Sequence, residues 1–167
     1  MDLSAAYQSS HTITALFESQ PTDILKISTT KELVKPVPIT EIITKLGFKI
    51  ACEKLPSIGF FQASTKTFVI NSLDSINRQR FSLATLLIEV LKPNANDSEV
   101  TRLAIELLLP QPLVELAVKE TITDMGYMAD NVSFTQGQLS KFLTLIGEKL
   151  GLSSPAARLR LEQLNIL

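Results

Sequence analysis

The sequence predicts an α+β domain in which helices surround a small three-stranded sheet. Two observations carry that expectation. Residues 48–71 group the β-prone Phe60, Phe61, Phe68, Val69 and Ile70 between turn signals at Pro56-Ser57 and Ser64-Thr65. From residue 74 onward, helix-start and helix-stop signals alternate at short intervals. Composition sets the frame. A chain of 167 residues is long enough for one well-buried core, with little room for two. With 45% apolar residues and a formal net charge of −1, it reads as a soluble globular protein, without the global basicity of a nucleic-acid binder.

The elements follow in order. Residues 1–35 are polar and weakly patterned. Ile13, Leu16 and Phe17, then Ile24 and Leu25, suggest one or two short helices. Pro36 and Pro38 punctuate the start of the main domain. Thr40 to Leu46 reads as a short helix, with Gly47 suited to a left-handed C-terminal position. Strands are expected at 48–54, 58–63 and 66–71, arranged as a half-buried antiparallel meander. Asp74 or Ser75 caps a helix running to about Leu91, which Pro93-Asn94-Ala95-Asn96 ends. That helix is expected to bury Leu83, Leu87 and Leu91 against Phe61, Val69 or Ile70 of the sheet, with Ala84 and Ile88 also in the core. Asn96 with Glu99 has the form of a capping box, and the helix it opens stops at Pro110. Pro112 opens the next, to about Met125. Ser133-Phe134-Thr135-Gln136 is a second capping-box pattern, for a helix ending at Gly151. Ser154-Pro155 reads as an N-cap followed by proline at the first helical position of the last helix.

The long helix carries the most specific signal. Arg78-Gln79-Arg80-Phe81-Ser82-Leu83-Ala84-Thr85-Leu86-Leu87-Ile88-Glu89 resembles the active-site helix of the ImmA/IrrE metallopeptidase family, which reads R-Q-R-F-[ST]-L-A-H-E-[LIV]-G-H. The resemblance continues in order along the chain. Val37–Ile43 with Leu46–Ile50 is similar to the family's leading helix and first strand. Gly59 and Phe68–Asn71 are similar to its short meander. Glu99–Pro110 is similar to E-A-N-x-F-A-A-x-L-L-M-P. Ile146–Ser153 and Arg158–Leu164 are similar to its tail. This implies a zincin-like minimal peptidase scaffold. It also implies three regions: an N-terminal helical segment (1–35), a degenerate peptidase-like core (36–130) and a C-terminal helical pair packed on it (131–167).

The chemistry of that motif is missing. In H-E-x-x-H, two His at i and i+4 ligate zinc and the Glu activates the bound water. The resemblance places Thr85, Leu86 and Glu89 at those three positions, and Glu99 at the third zinc ligand. Thr85 is a weak neutral ligand, and Leu86 accepts no proton. The chain's one histidine is His11 and its one cysteine Cys52, so a tetrahedral N/S site cannot be assembled. No catalytic residue, metal or cofactor is therefore expected. Glu99 also reads as a helix cap, Glu89 as an ordinary helix residue, and Cys52 as a small hydrophobe on a strand.

The resemblance implies a regulatory setting, because family members commonly cleave helix-turn-helix repressors of phages and mobile elements. A degenerate member is expected to bind such a repressor as an antirepressor, without cutting. Arg78, Arg80, Phe61 and Phe68 are the candidate contacts at a groove between sheet edge and helix. For the two arginines, salt bridges on their own helix are an equal reading. The alternative is a DNA-binding regulator. The last two helices, joined at Gly151-Leu152-Ser153, have helix-turn-helix spacing, and Lys141, Lys149, Arg158 and Arg160 give a mildly basic surface. Pro155-Ala156-Ala157 offers no base-reading side chain at the start of the second helix. One cysteine, no membrane-length apolar run and no secretory pattern point to the cytoplasm.

Overall fold

The computed structural model describes residues 36–127 and 133–167. The helices expected before residue 36, and the boundary drawn at 130/131, lie outside these residues. The described order is α1 (Ile39–Lys45), β1 (Lys49–Glu53), β2 (Gly59–Gln62), β3 (Thr67–Asn71), α2 (Ile76–Leu91), α3 (Asp97–Leu108), α4 (Gln111–Asp124), α5 (Gln136–Leu150) and α6 (Ser154–Gln163). The fold class is α+β, as the sequence predicts.

The sheet is not a meander. Its strand order is β1-β3-β2, with β3 central, antiparallel to β2 and parallel to β1. The reason lies in β3. Phe68, Val69 and Ile70 are all buried, so this strand is apolar on both faces and takes the position flanked on both sides. β2 returns to β3 through a 3-10 turn at Ala63–Thr65, with Lys66 left-handed at its end. Residues 54–66, β2 included, thereby form the crossover that a parallel pair requires. Asn71 fastens the far end: its Oδ1 accepts from the amides of Leu55 (3.3 Å) and Leu73 (3.1 Å), joining the exits of β1 and β3.

Strand parity then decides the core. Phe68 and Ile70 face the helices, with Ile50 and Phe61 beside them, whereas Val69 has the opposite parity. Above them lies α2. Leu83, Ala84, Leu87 and Ile88 are buried as expected, and so are Ser82 and Leu86, because α3 covers the side that the sheet does not. Leu91 is only half-buried. One apolar cluster continues from α1 and the sheet through α2 and α3 into Phe142 and Ile146 of α5 and Leu161 of α6.

Two helix starts sit elsewhere than the sequence suggests. The capping box of α5 is Thr135 with Gln138, not Ser133 with Gln136. Thr135 is the residue with apolar Leu139, Phe142 and Leu143 following at helical spacing. For α6 the cap is Ser153, whose Oγ accepts from Ala156 N at 3.4 Å, so Pro155 is the second helical residue. Gly151 closes α5 in the left-handed region (φ +65), and a Cβ there would lie 2.8 Å from Pro36 Cβ.

Candidate functional site

Thr85 and Glu89, at i and i+4, share one face of α2, and Lys92 follows as its C-cap. Thr85 is half-buried, and its Oγ1 donates to Phe81 O at 2.9 Å. Glu89 is exposed. Leu86 turns under the sheet and is 5% exposed. Gly59 shows how closely: a Cβ there would lie 3.3 Å from Leu86 Cδ1 and 2.5 Å from Val69 O, at a φ of +145. Leu86 therefore fills the space beneath β2.

Glu99 lies in the first turn of α3. Asn96 Oδ1 accepts from its amide at 2.9 Å, as the capping pattern predicts. The reciprocal half of the box is not made, because the Glu99 carboxylate is bound by Lys92 Nζ instead. These groups do not fit a zinc ion. They comprise one neutral hydroxyl, one hydrocarbon and two carboxylates, of which one is held by an ammonium. Among the described residues no three of His, Cys, Asp and Glu converge as metal ligands, and His11 lies outside them.

The expected partner-binding residues are not brought together. Arg78 is exposed and pairs with Asp74 at 3.5 Å across one helical turn. It borders a cleft of about 380 Å³ floored by Phe81, Ile105, Leu152 and Ala156, beside α6 and away from the sheet. Arg80 clamps α2 to the α5–α6 turn: its Nε donates to Gly151 O at 3.2 Å. Its Nη2 is buried without a hydrogen bond, and burial pushes the guanidinium pKa down. Phe68 is 0% exposed, so it cannot meet a partner. Its ring lies 4.8 Å from Phe61 and 5.2 Å from Phe48, in an aromatic cluster that faces the core. Central-strand parity decides this, and Phe61 is half-buried for the same reason.

Instead, the exposed apolar side chains near the sheet are Ile58 (44%), Phe60 (46%) and Leu73 (70%), with Ile76 (76%) opening α2. Asn71 N donates to Ile58 O at 3.4 Å and Asn71 Oδ1 accepts from Leu73 N, so Ile58 and Leu73 share one end of the sheet. Among the described residues β2 pairs only with β3, leaving its other edge open. The signal for Phe60 was present in the sequence. On a strand of period two, adjacent Phe60 and Phe61 must face opposite sides, so one of them faces outward.

The basic surface expected of the last two helices is also altered. Arg160 is 6% exposed; its Nε donates to Leu109 O at 2.9 Å, and it lies 3.7 Å from Glu106. Lys149 is held by Asp124 (2.8 Å) and Glu120 (3.6 Å) of α4. Arg158 pairs with Glu162 on its own helix at 3.7 Å. Lys141 remains exposed. The α5–α6 turn is closely packed, since a Cβ at Gly147 would lie 2.8 Å from Leu152 O. None of the described helices is long and apolar enough to cross a membrane. No family model matches the chain, and no curated protein matches it.

Proposed function

We propose that this chain is a non-catalytic member of the ImmA/IrrE metallopeptidase family that regulates transcription by binding a helix-turn-helix repressor of a phage or mobile element. The observation that carries the binding role is the β2 edge, unpaired among the described residues, with exposed Phe60 on that strand and exposed Ile58 and Leu73 at one end of the sheet. An edge strand offers unpaired backbone groups, and adjacent apolar side chains add the burial that a partner's extended segment requires. The family reading is supported by the element order: one helix, three strands, then the two helices of the degenerate motif. Loss of catalysis is supported by Leu86, which replaces the general base with a buried hydrocarbon.

On this reading the repressor is held off its operator by sequestration in the cytoplasm. The test is a titration in which operator occupancy and repressor length are followed together. Occupancy falls in proportion to added protein while the repressor stays full length. A shortened repressor points to a peptidase. Specific operator binding by this chain alone points to the DNA-binding reading. That reading is the weaker, because Arg160 is buried and Lys149 is neutralised by two carboxylates.

A further inference from the structure

We infer that Lys92 supplies, from within the chain, the positive charge that a metal would otherwise bring to Glu99. The inference rests on the family reading, which places Glu99 at the third zinc ligand. It begins with helical spacing. Lys92 is the C-cap of α2, seven residues after Thr85 and three after Glu89, so it follows directly on the face where the two histidines would stand. Lys92 is also the residue at which the chain leaves the helix and turns. Its amide donates to Ile88 O at 2.7 Å, and its carbonyl accepts from Ala95 N at 3.0 Å. That turn delivers Asn96 as the cap of α3 and presents Glu99 back toward α2.

The ammonium and carboxylate meet there with side-chain exposures of 24% and 31%. A pair partly withdrawn from water is screened less than a fully exposed one. The cation is thus tethered: it sits at the α2–α3 joint in any metal supply, and no loading or loss of an ion alters the joint. A sequestering protein built this way binds its partner independently of divalent cations. It also follows that replacing the missing histidines alone does not recover the site, because Glu99 is already occupied.

The experiment restores the histidines and titrates zinc chloride alone by calorimetry. The Thr85→His/Glu89→His protein binds zinc weakly while Lys92 is present. Adding Lys92→Met tightens binding at least tenfold, and Glu99→Gln in that background removes the gain. If Lys92→Met gives no gain and Glu99→Gln weakens zinc binding equally with either residue at 92, Glu99 reaches the histidine face but Lys92 does not hold the cation's place, and the inference is overturned. If Glu99→Gln changes zinc affinity in neither background, the family reading of Glu99 fails first. Should the histidine variants not fold, the native chain answers through a double-mutant cycle. Lys92→Met and Glu99→Gln then show at least tenfold coupling in the folding equilibrium, against less than about fivefold for an ordinary exposed pair. Additive effects overturn the inference.

Discussion

At position 86 the sequence and the structure meet most directly. Leu86 is 5% exposed and packed toward Gly59. Leu86→Glu, which on the proposed family reading writes the general base back, places an unpaired carboxylate among hydrocarbon and is expected to cost about 3 to 5 kcal/mol in urea unfolding. A loss under about 1 kcal/mol would mean that position 86 opens onto a solvated groove, as a catalytic residue must. Arg160 is the second decisive residue. It binds the last turn of α3 through Leu109 O and approaches Glu106, whose Oε2 is buried without a hydrogen bond. Arg160→Met keeps volume and removes the charge, and is expected to cost about 3 kcal/mol. An unchanged denaturation midpoint would contradict this clamp. The contacts of neither residue were legible beforehand. Leu86 could be assigned as core by its type, but its close approach to Gly59 depends on which strand lies above it. Arg160 read as surface because arginine is rarely buried, and only the fold brings a helix C-terminus to it.

Local signals marked the elements well and their pairing poorly. Ser75, Asn96 and Gly151 cap where their chemistry requires, since each satisfies helix-end groups using nearby residues alone. Strand order is a non-local choice, and alternation cannot distinguish a meander from the β1-β3-β2 arrangement. The clue was the unbroken apolar run Phe68-Val69-Ile70, which suits a central strand. The same limit explains two of the four cations of the last helices, Arg160 and Lys149, whose surroundings depend on what α3 and α4 present. Lys149 makes this testable. Its hydrogen bond to Asp124 raises its pKa; burial, the next largest effect, opposes the rise, and attraction to Asp124 and Glu120 adds to it. A raised folded-state pKa means that the stabilisation is fully present below the ordinary lysine range. It is lost as pH climbs through the folded value. Tm is therefore expected to fall at strongly alkaline pH more steeply for the parent than for Lys149→Met. The difference should shrink in high salt, because Lys149 is partly exposed. Parallel Tm–pH curves would show that the α4–α5 pair adds nothing.

For the molecule as a whole, one core joins the sheet to all six described helices, so substitutions inside it report on stability, while those at the β2 edge report on binding. Phe60→Asp is the variant that separates the two. Its side chain is 46% exposed, so the fold is expected to keep its Tm within a few degrees while partner binding falls at least tenfold. Loss of both together would make Phe60 a core residue in practice. Binding that survives Phe60→Asp would move the interface away from this edge. The central claim is that this chain captures a repressor and leaves it whole. It is tested most directly by titrating the helix-turn-helix repressor encoded nearest its gene, bound to operator DNA, and weighing the repressor by intact-mass spectrometry at each point. The expected result is operator release that is complete near molar equivalence, with the repressor mass unchanged. Release at substoichiometric protein with a truncated repressor, or an operator that stays occupied at excess, would contradict it.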